Sequence, residues 1–148
     1  MDAIVLAAAG VRRLGLANRI TQVIDGSVML PAVGQGALCI EIRKNDSRIA
    51  PVVAVLDHLS TRQVVMGERA FLKRLEGGCQ VPIAGHGYID DNRYTLTGLV
   101  CEVDGTHQVK QSQTGPATRS EQIGLELAES LLAMGAGEIL ERLKADAQ

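Results

Sequence analysis

The stretch Leu75-Glu76-Gly77-Gly78-Cys79-Gln80-Val81-Pro82-Ile83 divides this chain into a part that must be helical and a part that must be extended. Ahead of it Val64, Phe71, Leu72 and Leu75 recur on one helical face, while Arg62, Glu68, Arg69 and Lys73 largely occupy others. Ser60 with Gln63 offers a capping box at the start of that helix. The pair Gly77-Gly78 ends it, and Val81-Pro82 steers the chain into extended backbone. Cys79 is thereby presented in an open turn, at a surface or cleft. On spacing alone, a lone cysteine there reads as a small turn residue.

Beyond this stretch, residues 83 to 89, 94 to 101 and 106 to 113 read as strands. Asp90-Asp91-Asn92-Arg93 and Glu102-Val103-Asp104-Gly105 join them as turns, so the sequence predicts an antiparallel meander. Gly115-Pro116 breaks the last strand, and Thr118 or Ser120 caps a helix striped by Ile123, Leu127 and Leu131. Gly135 and Gly137 then separate it from a final amphipathic turn or two around Ile139, Leu140 and Leu143. The expected fold class is α+β: a three-stranded antiparallel sheet packed with helices on one face.

The earlier part reads differently. Residues 3 to 9 are continuously apolar and fit a strand buried on both faces, as in parallel α/β sheets. Such a strand needs neighbours, which implies that the chain starts inside a larger fold. A short helix fits residues 11 to 16, strands fit residues 20 to 24 and 37 to 42, and residues 49 to 56 fit a short helix or a packed strand. Gly34-Gln35-Gly36 opens no helix, so it is no dinucleotide fingerprint and reads as a flexible crossing between lobes. The expected division is residues 1–57, partial segments of α/β domains, and residues 58–148, a complete C-terminal domain.

Composition excludes several functions. Residues 1–57 carry 6 Lys+Arg against 5 Asp+Glu, and residues 58–148 carry 9 against 12, so neither half is a basic nucleic-acid surface. Phe71, Tyr88 and Tyr94 are the whole aromatic set, too few for base stacking. No apolar run approaches a membrane span and the N-terminus lacks a basic region followed by a hydrophobic stretch and a cleavage site, so the chain reads as cytosolic, and three cysteines, an odd number in a reducing compartment, imply no disulfide framework.

Glu68-Arg69-Ala70-Phe71-Leu72, leading through Leu75 into Gly77-Gly78-Cys79 and Val81-Pro82-Ile83, resembles the cofactor-attachment signature of the hydroxymethylbilane synthases, also called porphobilinogen deaminases. A second block is similar to the same family's middle portion, in the same order. It comprises residues 2–10, Arg12-Arg13-Leu14-Gly15, and Leu30-Pro31-Ala32-Val33-Gly34-Gln35-Gly36-Ala37. The resemblance covers nearly the whole chain.

It implies an enzyme that joins four porphobilinogen molecules head to tail, each losing ammonia, on a dipyrromethane primer held by a cysteine thioether. By motif match the cysteine is Cys79, a soft sulfur suited to capturing an electrophilic pyrrole methylene. Gly77 and Gly78 leave room for the rings, and Gln35 stands near the cofactor pocket. Arg13, and more weakly Arg12, match positions that bind the acetate and propionate side chains. Because Cys79 follows a helix C-terminus, nothing favours its thiolate, and it reads as an anchor rather than a turnover nucleophile. The family's catalytic aspartate and several of its arginines belong to an N-terminal portion without counterpart here. The chain alone is therefore expected to be inactive, and that portion is its expected partner.

Three other readings compete. Helix, three strands and helix is also the order of double-stranded RNA-binding domains, but Thr118-Arg119-Ser120-Glu121-Gln122 lacks the cations such contacts need. Cys79, His86, Cys101 and His107 alternate along the chain without the tight pairs of a structural zinc site. A noncatalytic binding or regulatory domain that keeps only the fold is the remaining alternative.

Overall fold

The computed structural model of the chain describes residues 2–75 and 81–146. Its centre is helix α3, Leu59–Arg74, which starts one residue before the expected cap. His58, in extended backbone, takes the capping role: its Nδ1 accepts the Thr61 N–H at 3.4 Å and lies 2.8 Å from the Thr61 hydroxyl. Phe71 and Leu75 are buried along the inner face of α3.

Strands β1, Ile83–Asp90, β2, Arg93–Cys101, and β3, Gln108–Pro116, form an antiparallel sheet in the order β1-β2-β3. The first hairpin closes through the pair Asp90 and Arg93, with Asp91 and Asn92 both at positive φ (45° and 59°), the two-residue turn whose twist matches that of the strands. β3 runs on to Pro116, past the expected break, because its edge position facing away from β2 needs no further donor there. Residue alternation sorts the sheet cleanly. Tyr94, Leu96 and Val100 of β2 face the helices, whereas Thr95 and Thr97 pair through their hydroxyls with Thr114 and Ser112 at 2.8 and 2.7 Å on the open face.

A 3-10 turn, Ala117–Arg119, leads into α4, Ser120–Leu131, which has no side-chain cap from either expected residue. Gly135, at φ 102°, bends the chain between α4 and α5, Gly137–Asp146, which is longer than the expected turn or two. Helices α3 and α4 cross closely: a Cβ on Gly124 would stand 2.2 Å from the carbonyl oxygen of Gly67. Ile123, Leu127, Leu131, Ile139 and Leu140 complete the core with Phe71, Leu75 and the inner face of β2.

Residues 2–57 are built otherwise. They contain two short helices, α1, Ala8–Arg13, and α2, Ala50–Ala54, a 3-10 turn, Ala17–Arg19, and no strand. The apolar run at 3 to 9 is not a buried strand: Ile4, Val5 and Leu6 are 61–71% exposed, and the run passes into α1. Residues 20 to 24 and 37 to 42 likewise form no strand, because no backbone among the described residues lies alongside to complete a ladder. Residues 49 to 56 resolve as the helix α2. From residues 2–57 Val33 alone, among the described residues, packs against the core cluster.

Candidate functional site

The sequence gives α3 a glutamate where the apolar stripe runs. Glu68 lies four residues after Val64 and three before Phe71, so it shares their face, and the structure leaves it only 5% exposed. A buried carboxylate is costly unless its oxygens are hydrogen-bonded. Here Oε1 accepts the Gly87 N–H at 2.8 Å and Oε2 accepts the Gly34 N–H at 2.7 Å. These are short, charge-assisted bonds from two distant segments. No cationic side chain among the described residues pairs with Glu68. Residue type alone places Glu68 on a polar face, whereas its register with Val64 and Phe71 marks it as a member of the buried stripe.

The bond to Gly34 belongs to a docking of residues 31–37 on the edge of the sheet. The Gly85 N–H donates to the Pro31 carbonyl at 3.2 Å, and a Cβ at Gly85 would stand 3.2 Å from a Val33 methyl. Gly34 and Gly36 both have positive φ, 72° and 86°, and the turn closes with Gln35 N–H to Ala32 O at 3.0 Å and Ala37 N–H to Gly34 O at 3.2 Å. A side chain at either glycine would strain that turn. Gln35, between them, is exposed.

This docking encloses an open cleft of about 270 Å³, walled by residues 34–37 on one side, Ser60, Thr61 and Val64 of α3 on another, and His86 and Gly87 of β1 on the third. Gln35 lines this cleft. Arg12 and Arg13 occupy the last turn of α1, exposed, outside the cleft lining and in no ion pair with a described residue. Gly77, Gly78 and Cys79 lie outside the described residues. Of the described residues on either side, Leu75 is buried and Val81 packs on the core cluster.

The lining tests what the cleft can hold. It offers hydroxyls, an amide and an imidazole but no guanidinium or ammonium, and its one buried charge is negative. A pyrrole pair carrying several carboxylates does not fit these residues alone, since their charge would go unanswered. Among the described residues no three of His, Cys, Asp and Glu converge as metal ligands. Cys39 and Cys101 are free thiols, and partial burial with Glu102 nearby pushes the Cys101 thiol up from its ordinary pKa. No described helix is long and apolar enough to cross a membrane.

Comparison with known proteins gives these segments a context. A family model described as porphobilinogen deaminase, dipyromethane cofactor binding domain, matches residues 1–51, and one described as porphobilinogen deaminase, C-terminal domain, matches residues 62–133. The chain is 51% identical over 140 residues to a porphobilinogen deaminase of Geobacter metallireducens, covering 95% of this chain and 44% of that relative. It is 50% identical over 147 residues to one of Desulforudis audaxviator, covering 99% and 48%, and 44% identical over 147 residues to one of Carboxydothermus hydrogenoformans, covering 99% and 47%. The chain spans just under half the length of these relatives.

Proposed function

The chain belongs to the porphobilinogen deaminase family, and from that membership we propose that it is the C-terminal part of a hydroxymethylbilane synthase, carrying the primer-attachment cysteine of an enzyme that condenses four porphobilinogen molecules with loss of ammonia. The observation that carries the reading is identity near 50% along almost the entire chain, across both family models in their order. The alternative is a noncatalytic domain that keeps the fold.

In this reading dipyrromethane is tethered through a thioether at Cys79, between Gly77 and Gly78 on one side and Gln80 on the other. The packing of the flanking residues Leu75 and Val81 into the core supports it, since a tether is most useful between fixed points. Gln35 serves as a hydrogen-bonding residue beside the pyrroles; its exposed position at the cleft supports that role. Arg13 and Arg12 serve the substrate carboxylates. Their lack of any described partner supports this, because an unpaired guanidinium is available to a carboxylate. Because the cleft itself supplies no cation and neither arginine lines it, residues of a companion N-terminal portion answer the carboxylate charge there. Residues 1–57 then belong to domains shared with that companion, and residues 58–148 to a domain of their own; the segregation of the core into residues 71–140 supports the division. The free thiols at Cys39 and Cys101 accord with a cytosolic setting.

The test is the intact mass, under denaturing conditions, of this chain co-expressed with the N-terminal portion of a close relative. The expected result is an added mass of two linked pyrrole units that disappears in Cys79→Ser. The chain alone is expected to consume no porphobilinogen. Association of the two pieces with Cys79 unmodified would favour the noncatalytic alternative.

A further inference from the structure

We propose that Glu68 is a positioning residue: its carboxylate clasps residues 31–37 onto the C-terminal unit and so fixes where Gln35 stands relative to α3, the helix that leads toward Cys79. Only the significance of Gln35 and Cys79 rests on the functional reading above; the clasp itself stands on the geometry.

The two N–H groups that Glu68 accepts come from positions that are far apart in sequence, and neither belongs to its own helix. One is fixed in β1, within the sheet. The other is in a turn whose further attachments among the described residues are the Gly85 N–H to Pro31 carbonyl bond and the packing of Val33 on the core cluster. Of these three attachments, the carboxylate is the charge-assisted one and the one directly adjacent to Gln35. A buried glutamate on an apolar stripe, in no ion pair with a described cationic side chain, is accounted for by this bridge. Gly34, at φ 72°, brings its N–H to the carboxylate in a conformation that a residue with a side chain rarely adopts.

The experiment is amide hydrogen exchange on this chain, read by NMR, with Glu68→Gln. Glutamine keeps the volume but has a single acceptor oxygen. That oxygen stays with the buried Gly87 N–H, where an unmade bond is costlier, and the NH2 turns toward Gly34, donor facing donor. The expected result is exchange at Gly34 at least about tenfold faster, with the amides of Leu96 and Val100 in β2 unchanged. Unchanged exchange at Gly34 overturns the proposal. So does acceleration by one common factor at Gly34, Leu96 and Val100, which would make Glu68 a core residue only.

Intact mass of the co-expressed assembly separates this from the functional reading. If wild-type Cys79 is modified and the Glu68→Gln chain is modified to a lesser extent, the clasp acts on the site as proposed. Equal modification of the two, with Gly34 released, overturns the link to the site. An unmodified wild-type Cys79 overturns the functional reading and leaves the exchange result to decide the clasp.

Discussion

Tyr94 shows how one residue's burial becomes a pH dependence. Its side chain is fully buried, and its hydroxyl donates to the Val64 carbonyl at 3.2 Å. Burial first, and the neighbouring Glu68 carboxylate second, push the phenol pKa well above its ordinary value. The folded chain thus prefers the protonated phenol. That preference contributes its full stability below the unfolded tyrosine value of about 10 and is lost as pH rises beyond it toward the folded value. In an alkaline titration followed by phenolate absorbance, the Tyr94 signal, taken as wild type minus Tyr94→Phe, should appear only together with unfolding. At neutral pH Tyr94→Phe should cost about 1 kcal/mol, the net worth of one hydrogen bond, while moving the alkaline unfolding midpoint upward. Reversible ionisation of Tyr94 in the folded chain would contradict this. Glu68 marks the limit of reading single residues from the sequence. A charged residue is assigned to the water by type, but its acceptors are filled by Gly34 and Gly87, and no pattern along the chain announces those partners.

Among the elements, those that close their own hydrogen bonds were legible. The helix of α3, the two hairpins and the stripe of α4 each depend on contacts within about twenty residues, so local pattern suffices. The capping residue escaped because histidine is an unusual cap, and its role depends on a ring nitrogen reaching Thr61. The expected strands at 3 to 9, 20 to 24 and 37 to 42 did not form, since apolar pattern specifies that a strand wants neighbours without supplying them. The crossing of α3 and α4 carries its own prediction. With a Cβ at residue 124 only 2.2 Å from the Gly67 carbonyl oxygen, the obstacle is backbone and cannot rotate away. Gly124→Ala must force the helices apart and open the contacts of Phe71 and Leu127. Despite alanine's better helix propensity, it should destabilise the chain by at least about 2 kcal/mol in denaturant unfolding. A neutral or stabilising result would show that the crossing has slack.

At the scale of the whole molecule the decisive quantity is surface. A compact monomer of 15.7 kDa should expose about 7,300 Å², whereas this chain exposes 10731 Å². The excess is not spread evenly: the buried apolar residues all fall between Phe71 and Leu140, while Ile4, Val5, Leu6, Val23, Ile24, Leu38 and Ile40 are exposed in the first part. Contiguous apolar stretches of that kind are what partner surfaces are made of. On the proposed reading residues 2–57 are halves of contacts, held to the C-terminal unit at residues 31–37. On that basis, the chain alone should bind a hydrophobic dye such as ANS, and exchange at residues 3–9 should be close to that of an unstructured peptide. Adding the N-terminal portion of a relative should quench the dye and protect those amides, with the protection of β2 little changed because its core is already complete. If the dye signal persists after association, or if protection appears in β2 instead, the companion docks elsewhere and the first 57 residues are not its surface. The Glu68→Gln chain provides the internal check: with residues 31–37 released, association should still protect residues 3–9, but the anchoring at Gly34 should no longer accompany it.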